Sequence, residues 1–319
     1  MPKKTPPPAP KEPGKRTSYT VALDSEGIEK LESCFDTGDW KWAEVPHALF
    51  SYKGDKVNIT AYKSGKCLIQ GAETETFITN ILEPMVTGVA ALGYDEIHHP
   101  EWFETHAGVD ESGKGDLFGP LVSATVIADG KAVSHWLTNG VRDSKTVGSD
   151  QQILKLEQQI RETEGVEIHL SWARMEKYNQ LYGKFGNNLN RLLAWFHARS
   201  IRAALAAKPA QWGLLDQFTK QPLVQRQLKD LSFELRMRTR AESDPVVAAA
   251  SIVARAEYVR QMDLLSKKAG FPLMKGASSK VREQAVRLIQ TFGPERLGEF
   301  AKLHFKTAQE ALASVDPTR

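Results

Sequence analysis

Along the first part of the chain the apolar positions alternate. Ser18–Asp24 reads as a strand, and Ser25 can cap a short helix that turns Ile28 and Leu31 inward. Three β-rich runs follow, Ala48–Lys53, Val57–Lys63 and Lys66–Gln70, separated by Gly54-Asp55 and Ser64-Gly65, pairs suited to hairpin turns. From Glu73 to Val86 the period lengthens to that of a helix, with Phe77, Ile78, Ile81 and Leu82 on one side. Residues 17–86 are therefore expected to form a small α+β unit, a curved antiparallel sheet backed by helices. Thr87–His106, with two glycines, a proline and no clear period, reads as a linker.

Beyond it the pattern changes. Val109–Asp110, Leu121–Ala128, Val166–Trp172, Gly213–Asp216 and Phe233–Thr239 read as strands. Long helical patterns lie between and after them: Asp150–Thr163 behind a Ser-Asp cap, Asn187–Ala207, and Pro245–Gly270 with proline at its first turn. Strands alternating with helices predict a mixed α/β layer over residues 107–319. Val246–Ala254, small and apolar, should pack closely against that sheet.

The chain has 319 residues, 41% hydrophobic and 25% charged, which excludes collagen, coiled coil and disorder for its bulk. Its longest apolar stretch, Val246–Ala256, holds Ser251 and Arg255 and is too short to span a bilayer. Two cysteines, Cys34 and Cys67, make no disulfide scaffold and no zinc spacing, so a reducing cytoplasm is expected. Charge separates by region. Residues 1–16 are rich in proline and carry Lys3, Lys4, Lys11, Lys15 and Arg16 against Glu12 alone, an extended and disordered basic tail. Residues 17–94 hold six lysines against eleven acids, much of the negative charge falling in Asp24–Asp39. Lys53, Lys56, Lys63 and Lys66 fall on or beside consecutive strands, and with Tyr52 and Tyr62 they are expected to give the small unit one basic face.

The densest chemistry lies in Asp110-Glu111-Ser112-Gly113-Lys114-Gly115-Asp116. Two carboxylates end an apolar strand, where a buried charge is costly unless it is paired or bound to metal. Glycines follow at once, letting backbone N–H groups approach a ligand beside Lys114. That combination suits a phosphodiester. Asp216 ends another apolar run, and Glu242 follows a strand and directly precedes the Pro245 helix. Four carboxylates meeting at one sheet end repel one another, and two Mg²⁺ ions would remove that repulsion while forming a clamp for displacement at phosphorus.

These residues resemble the signature of type 2 ribonuclease H proteins, and within them of bacterial ribonuclease HIII. The similarity runs through Phe118-Gly119-Pro120, Asp143-Ser144-Lys145, Lys177-Tyr178-Asn179, Asp216-Gln217-Phe218, Arg240-Ala241-Glu242, Val247–Arg255, Pro272–Ala277 and Ala301–Phe305. It implies an RNase H-like fold preceded by a TATA-binding-protein-like substrate domain. It also implies an endonuclease that hydrolyses the RNA strand of RNA–DNA hybrids with two Mg²⁺ or Mn²⁺ ions, leaving 5′-phosphate and 3′-hydroxyl ends. Asp110, Glu111, Asp216 and Glu242 take the catalytic, metal-binding positions. Lys114 and Glu242 favour ribonuclease HIII over HII, in which arginine and aspartate are usual. Arg240 and Lys306-Thr307 depart from the family pattern.

Because only the 2′-hydroxyl marks an RNA strand covalently, its recognition falls to Ser112, Gly113, Lys114 and Gly115, with Lys114 also drawing the scissile phosphate. Ser144 and Lys145 are read as contacts to a flanking phosphate, and Asn188 as a helix cap or a binding residue. His98, His99 and His106 show no ligand spacing. The expected protein is a cytoplasmic monomer. Two alternatives stand beside it: a ribonuclease HII-like enzyme that also cuts at a single ribonucleotide in DNA, and a non-catalytic hybrid-binding protein.

Overall fold

The computed structural model describes residues 17–36, 38–89, 95–138, 147 and 149–315. The basic tail and Ser144-Lys145 lie outside the described residues. The chain divides into two units, one comprising residues up to Phe103 with 134–140, the other the remainder.

In the first unit, β1 (Ser18–Ala22), β2 (Lys41–Trp42), β3 (Ala48–Lys53), β4 (Asn58–Tyr62) and β5 (Lys66–Gln70) form an antiparallel sheet in the order β1-β5-β4-β3-β2. Helix α1 (Ser25–Ser33) is capped by Asp24, not Ser25; Asp24 Oδ1 accepts from Gly27 N–H at 2.8 Å. The helix expected over 73–86 forms one α turn, α2 (Thr74–Phe77), and continues as a wider π-helix, Ile78–Thr87. Pro84 lies inside that stretch and has no N–H to give to an ordinary ladder. Leu31, Phe50, Ile59, Ile69, Ile78 and Leu82 pack on one face of the sheet around Phe35. Tyr52 belongs to this core, stacked on Phe35 with centroids 4.6 Å apart, so it does not join the expected basic face. The other face is polar. Its register aligns Ser18, Gln70, Asn58, Lys53 and Lys41 in one row, with Lys66 opposite Ala22 two residues on from the next. The segment read as a linker contains α3 (Asp95–His98) and a 3₁₀ turn, Pro100–Phe103, and its last residue, His106, opens a strand.

The second unit is built on a five-stranded mixed sheet in the order β10-β9-β6-β7-β8. Its strands are β6 (His106–Ser112), β7 (Val122–Ala128), β8 (Glu167–Ser171), β9 (Trp212–Asp216) and β10 (Glu234–Arg238). β6, β7 and β8 are antiparallel neighbours, whereas β9 and β10 run parallel to β6. The helices are α5 (Asp150–Glu162), α6 (Met175–Lys184), α7 (Leu189–Ala207), α8 (Gln225–Leu228), α9 (Pro245–Ala269), α10 (Ser279–Phe292) and α11 (Lys306–Val315), while α4 (Gly130–Thr138) starts here and is counted with the first unit from Ser134 on. Val109 and Leu215 pack with Ala194, Ala198 and Ile201 of α7, while Leu214 packs with Val247 of α9. The two long helices thus cover opposite faces. On the α9 side the approach is unusually close: a Cβ on Gly108 would stand 2.2 Å from the Val246 carbonyl carbon. Glycine there, and the small residues of α9, let helix and strand backbones touch.

Candidate active site

The pairing of β6 with β9 stops just before Asp110 and Asp216, β6 running on to Ser112 against β7 alone. The β6–β9 register pairs Val109 with Leu215, which sets Asp110 and Asp216 next to each other at the carboxyl end of the parallel pairing. That is where open α/β sheets place their ligands. Side chains alternate along a strand, so Asp110 turns to the α9 face and Glu111 to the α7 face. Beyond β10, Arg240 takes a left-handed conformation (φ 59°, ψ 40°) and swings the chain into the 3₁₀ turn Ala241–Ser243. Ala241 N–H donates to Asp216 Oδ1 at 3.3 Å, which brings the neighbouring Glu242 to the same strand end. Asp244 caps α9 by accepting from Val246 and Val247 N–H, and it also meets His106 Nε2 at 3.1 Å.

The electrostatics follow from that crowding. Burial, then the negative charges of Glu111 and Asp216, push the Asp110 carboxyl well above the ordinary range, against hydrogen bonds from Ser251 and the Glu111 N–H. Burial acts on Glu111 too, but His197 and Lys114 outweigh it and hold its carboxyl below the ordinary range. Lys114 Nζ stands 3.3 Å from Glu111 Oε1 and 5.4 Å from the Phe218 ring centroid. An all-oxygen donor set rich in negative charge fits a hard divalent cation such as Mg²⁺ or Mn²⁺. The acids are gathered rather than caged: among the described residues no three His, Cys, Asp or Glu side chains form a close metal-binding group.

The glycine loop is braced from below. Gly113 is buried with φ 82°, and a Cβ there would lie 2.2 Å from Pro120 O. Gly115 is exposed, and a Cβ on it would meet nothing within 4 Å. Gly113 is thus fixed by the turn itself, whereas Gly115 leaves the loop backbone open to a ligand. The buried Lys302 donates from Nζ to Asp116 O at 2.8 Å and to Gly119 O, and from its backbone N–H to Leu117 O at 2.9 Å. Burial lowers its pKa to about 7 despite Asp116 nearby. Gly276 N–H donates to Asp116 Oδ1, and Tyr258 Oη to Phe118 O.

The family described as Ribonuclease HII matches residues 107–308, and a domain of unknown function (DUF3378) matches residues 20–84. Ribonuclease HIII of Protochlamydia amoebophila (strain UWE25) is 36% identical over 299 residues, covering 93% of this chain and 97% of that protein. The chain belongs to the ribonuclease HIII family. Ribonuclease HIII of Chlamydia trachomatis serovar L2 is 38% identical over 275 residues, or 84% of this chain and 89% of its own. Among solved structures, Bst-RNase HIII in complex with Mn²⁺ superposes with a TM-score of 0.64 at 30% identity, over 94% of this chain and 99% of that one. Family membership makes the protein a divalent-metal-dependent ribonuclease H, an endonuclease acting on the RNA strand of RNA–DNA hybrids.

Within this ribonuclease HIII fold the expected residues fare differently. Asp110 and Asp216 lie side by side past the last β6–β9 pair, and Glu242 follows the Ala241 that donates to Asp216; Glu111 and Ser112 close β6, and Gly113, Lys114 and Gly115 come directly after it. Asn188 is a cap: its Oδ1 accepts from Arg191 N–H at 3.1 Å. Three neighbours escaped the sequence reading. Ser251, expected to pack among the small residues of α9, hydrogen-bonds Asp110. Lys302 sat in a motif with no assigned role. His197 is a lone histidine in an apolar helical pattern, and nothing in its spacing marks it. Among the described residues no helix is long and apolar enough to cross a membrane.

Proposed function

We propose that Asp110, Glu111, Asp216 and Glu242 hold two divalent ions and carry out hydrolysis of the RNA strand in RNA–DNA hybrids. One observation carries the assignment: Asp110 and Asp216 lie side by side just past the last paired residues of β6 and β9, and the Ala241 N–H on Asp216 brings the neighbouring Glu242 to the same place in the chain. When bound, the ions lower the pKa of water and neutralise charge growing at the phosphate. The chain supplies the rest. Ser251 and the Glu111 N–H orient Asp110, and Lys114, held between Glu111 and Phe218, attracts the phosphate. Ser112, Gly113 and Gly115 present backbone groups to the 2′-hydroxyl, with Gly115 the most open of them. Ser144 and Lys145 contact a flanking phosphate. Water displaces the 3′ oxygen, so the products carry 5′-phosphate and 3′-hydroxyl ends.

Residues 17–86 serve as the substrate domain, residues 87–106 as the linker and residues 107–319 as the catalytic domain. The protein works as a cytoplasmic monomer. Asp110→Asn should abolish cleavage of a labelled hybrid while binding, read by fluorescence anisotropy, stays within about twofold of wild type. Unchanged turnover would overturn the assignment. Running the same assay on a DNA duplex with one embedded ribonucleotide distinguishes this enzyme from a ribonuclease HII-like one.

A further inference from the structure

Behind Glu111, on the α7 face of the sheet, runs a row of polar side chains sealed from solvent. Ser123, Thr125, His197 and Ser200 are all fully buried. Thr125 Oγ1 donates to Ser200 Oγ at 2.8 Å, and Ser200 Oγ lies 3.1 Å from Ser123 Oγ. Ser123 Oγ in turn lies 2.8 Å from His197 Nδ1, and His197 Nε2 stands 3.2 Å from Glu111 Oε2. Ser123 is the cross-strand partner of Glu111, so the row begins directly beside the acid. Apolar side chains would fill a sheet–helix interface at less cost in desolvation. A continuous polar path that ends on one carboxylate oxygen therefore calls for a reason.

The path has a direction. Thr125 gives its hydroxyl proton to Ser200, which leaves Ser200 to donate to Ser123 or to the His197 carbonyl of its own helix, 3.0 Å away. Ser123 can then donate to Nδ1, which makes Nδ1 the acceptor and places the ring hydrogen on Nε2. In that tautomer the protonated Nε2 stands at ion-pair distance from Glu111 Oε2, 3.2 Å, though off the line of a hydrogen bond. The other carboxylate oxygen, Oε1, is the one near Lys114.

We infer that His197 is a positioning residue that fixes Glu111 through Oε2, leaving Oε1 to serve the divalent cation. The inference rests on the proposal that Glu111 is a metal ligand. Partners of this kind orient the carboxylate that binds, and their loss typically weakens metal affinity by about 10–100-fold.

The test uses full-length protein and Mn²⁺ alone, with no nucleic acid. Free Mn²⁺ is followed by electron paramagnetic resonance for wild type, Glu111→Gln, His197→Phe and His197→Gln, with thermal unfolding in metal-free buffer as a check on folding. His197→Phe should weaken Mn²⁺ binding by about tenfold or more. His197→Gln, which keeps a side-chain N–H on that side of the ring, should recover most of the loss. The Mn²⁺ concentration for half-maximal cleavage should shift in parallel. Wild-type affinity in a folded His197→Phe protein overturns the inference, as does a folded His197→Gln protein no better than His197→Phe. If His197→Phe does not fold, Ser123→Ala decides: it keeps the imidazole but removes the group that sets its tautomer. Weaker Mn²⁺ binding in Ser123→Ala supports the inference and wild-type affinity overturns it. Should Glu111→Gln bind Mn²⁺ like wild type, the ligand assignment itself fails, an outcome separate from failure of His197 alone.

Discussion

Glu157 is a carboxylate with 2% of its side chain exposed, facing Arg161 on its own helix and Arg260 on α9. Burial pushes its carboxyl up, but the two guanidinium groups outweigh burial and hold it below the ordinary value of 4.5. A carboxyl depressed in the folded protein gives stability that is complete above 4.5 and lost as pH falls through the lower folded value. Glu157→Gln should therefore cost about 2 kcal/mol at pH 7, and the gap to wild type should shrink on acidification below about pH 4.5. Urea unfolding over a pH series measures both effects. A gap that widens with acid would show the ion pairs to be unimportant. At this scale the sequence speaks clearly where a residue breaks a local pattern. Asp110 and Glu111 interrupt an apolar strand and are followed by glycines, so their chemistry is visible within a few positions. His197 breaks nothing locally. Its meaning comes from β6 and β7, which reach it only when the sheet and α7 have packed, and no period in the chain points to it.

The strands were legible because short apolar runs bounded by polar residues are a local signal: β7, β8 and β10 lie within the runs read from the sequence, and β9 starts one residue before its run, at Trp212. β6 was seen only as Val109–Asp110, since Gly108 and His106 are poor strand formers that hold their place through β7 and β9. β2, two residues long, has no period to detect. α10 was legible but unread: Val281, Ala285, Leu288 and Ile289 make a helical stripe. Gly108 decides how α9 lies on β6. Gly108→Ala would push a methyl group into the Val246 backbone, and backbone cannot rotate aside. We expect a loss of about 3 kcal/mol in urea unfolding and a fall in kcat, because α9 carries Ser251 and begins just after Glu242. Wild-type stability in that variant would mean that helix and strand are less tightly joined.

Over the whole chain, charge and fold divide in the same way. The acids of Asp24–Asp39 lie in and around α1, on the side of the small unit's core, whereas Lys41, Lys53 and Lys66 lie on strands. A polar sheet face with lysines suits a phosphate backbone, and such contacts weaken as salt rises. Lys53→Glu combined with Lys66→Glu should raise KM for a hybrid several-fold at low salt and leave kcat unchanged, with the difference fading at high salt. An unaltered KM would remove the small unit from substrate capture. The general division into an α+β part and an α/β part was readable from periodicity, but the support of the glycine loop was not, because it is non-local. Lys302 grips carbonyl oxygens of that loop from 186 positions further along the chain. During synthesis, then, the loop that follows the first two acids waits for nearly the last helix to leave the ribosome before it acquires its brace. Until Lys302 has been made, the stretch beside Asp110 and Glu111 lacks the ammonium that gathers its carbonyl oxygens.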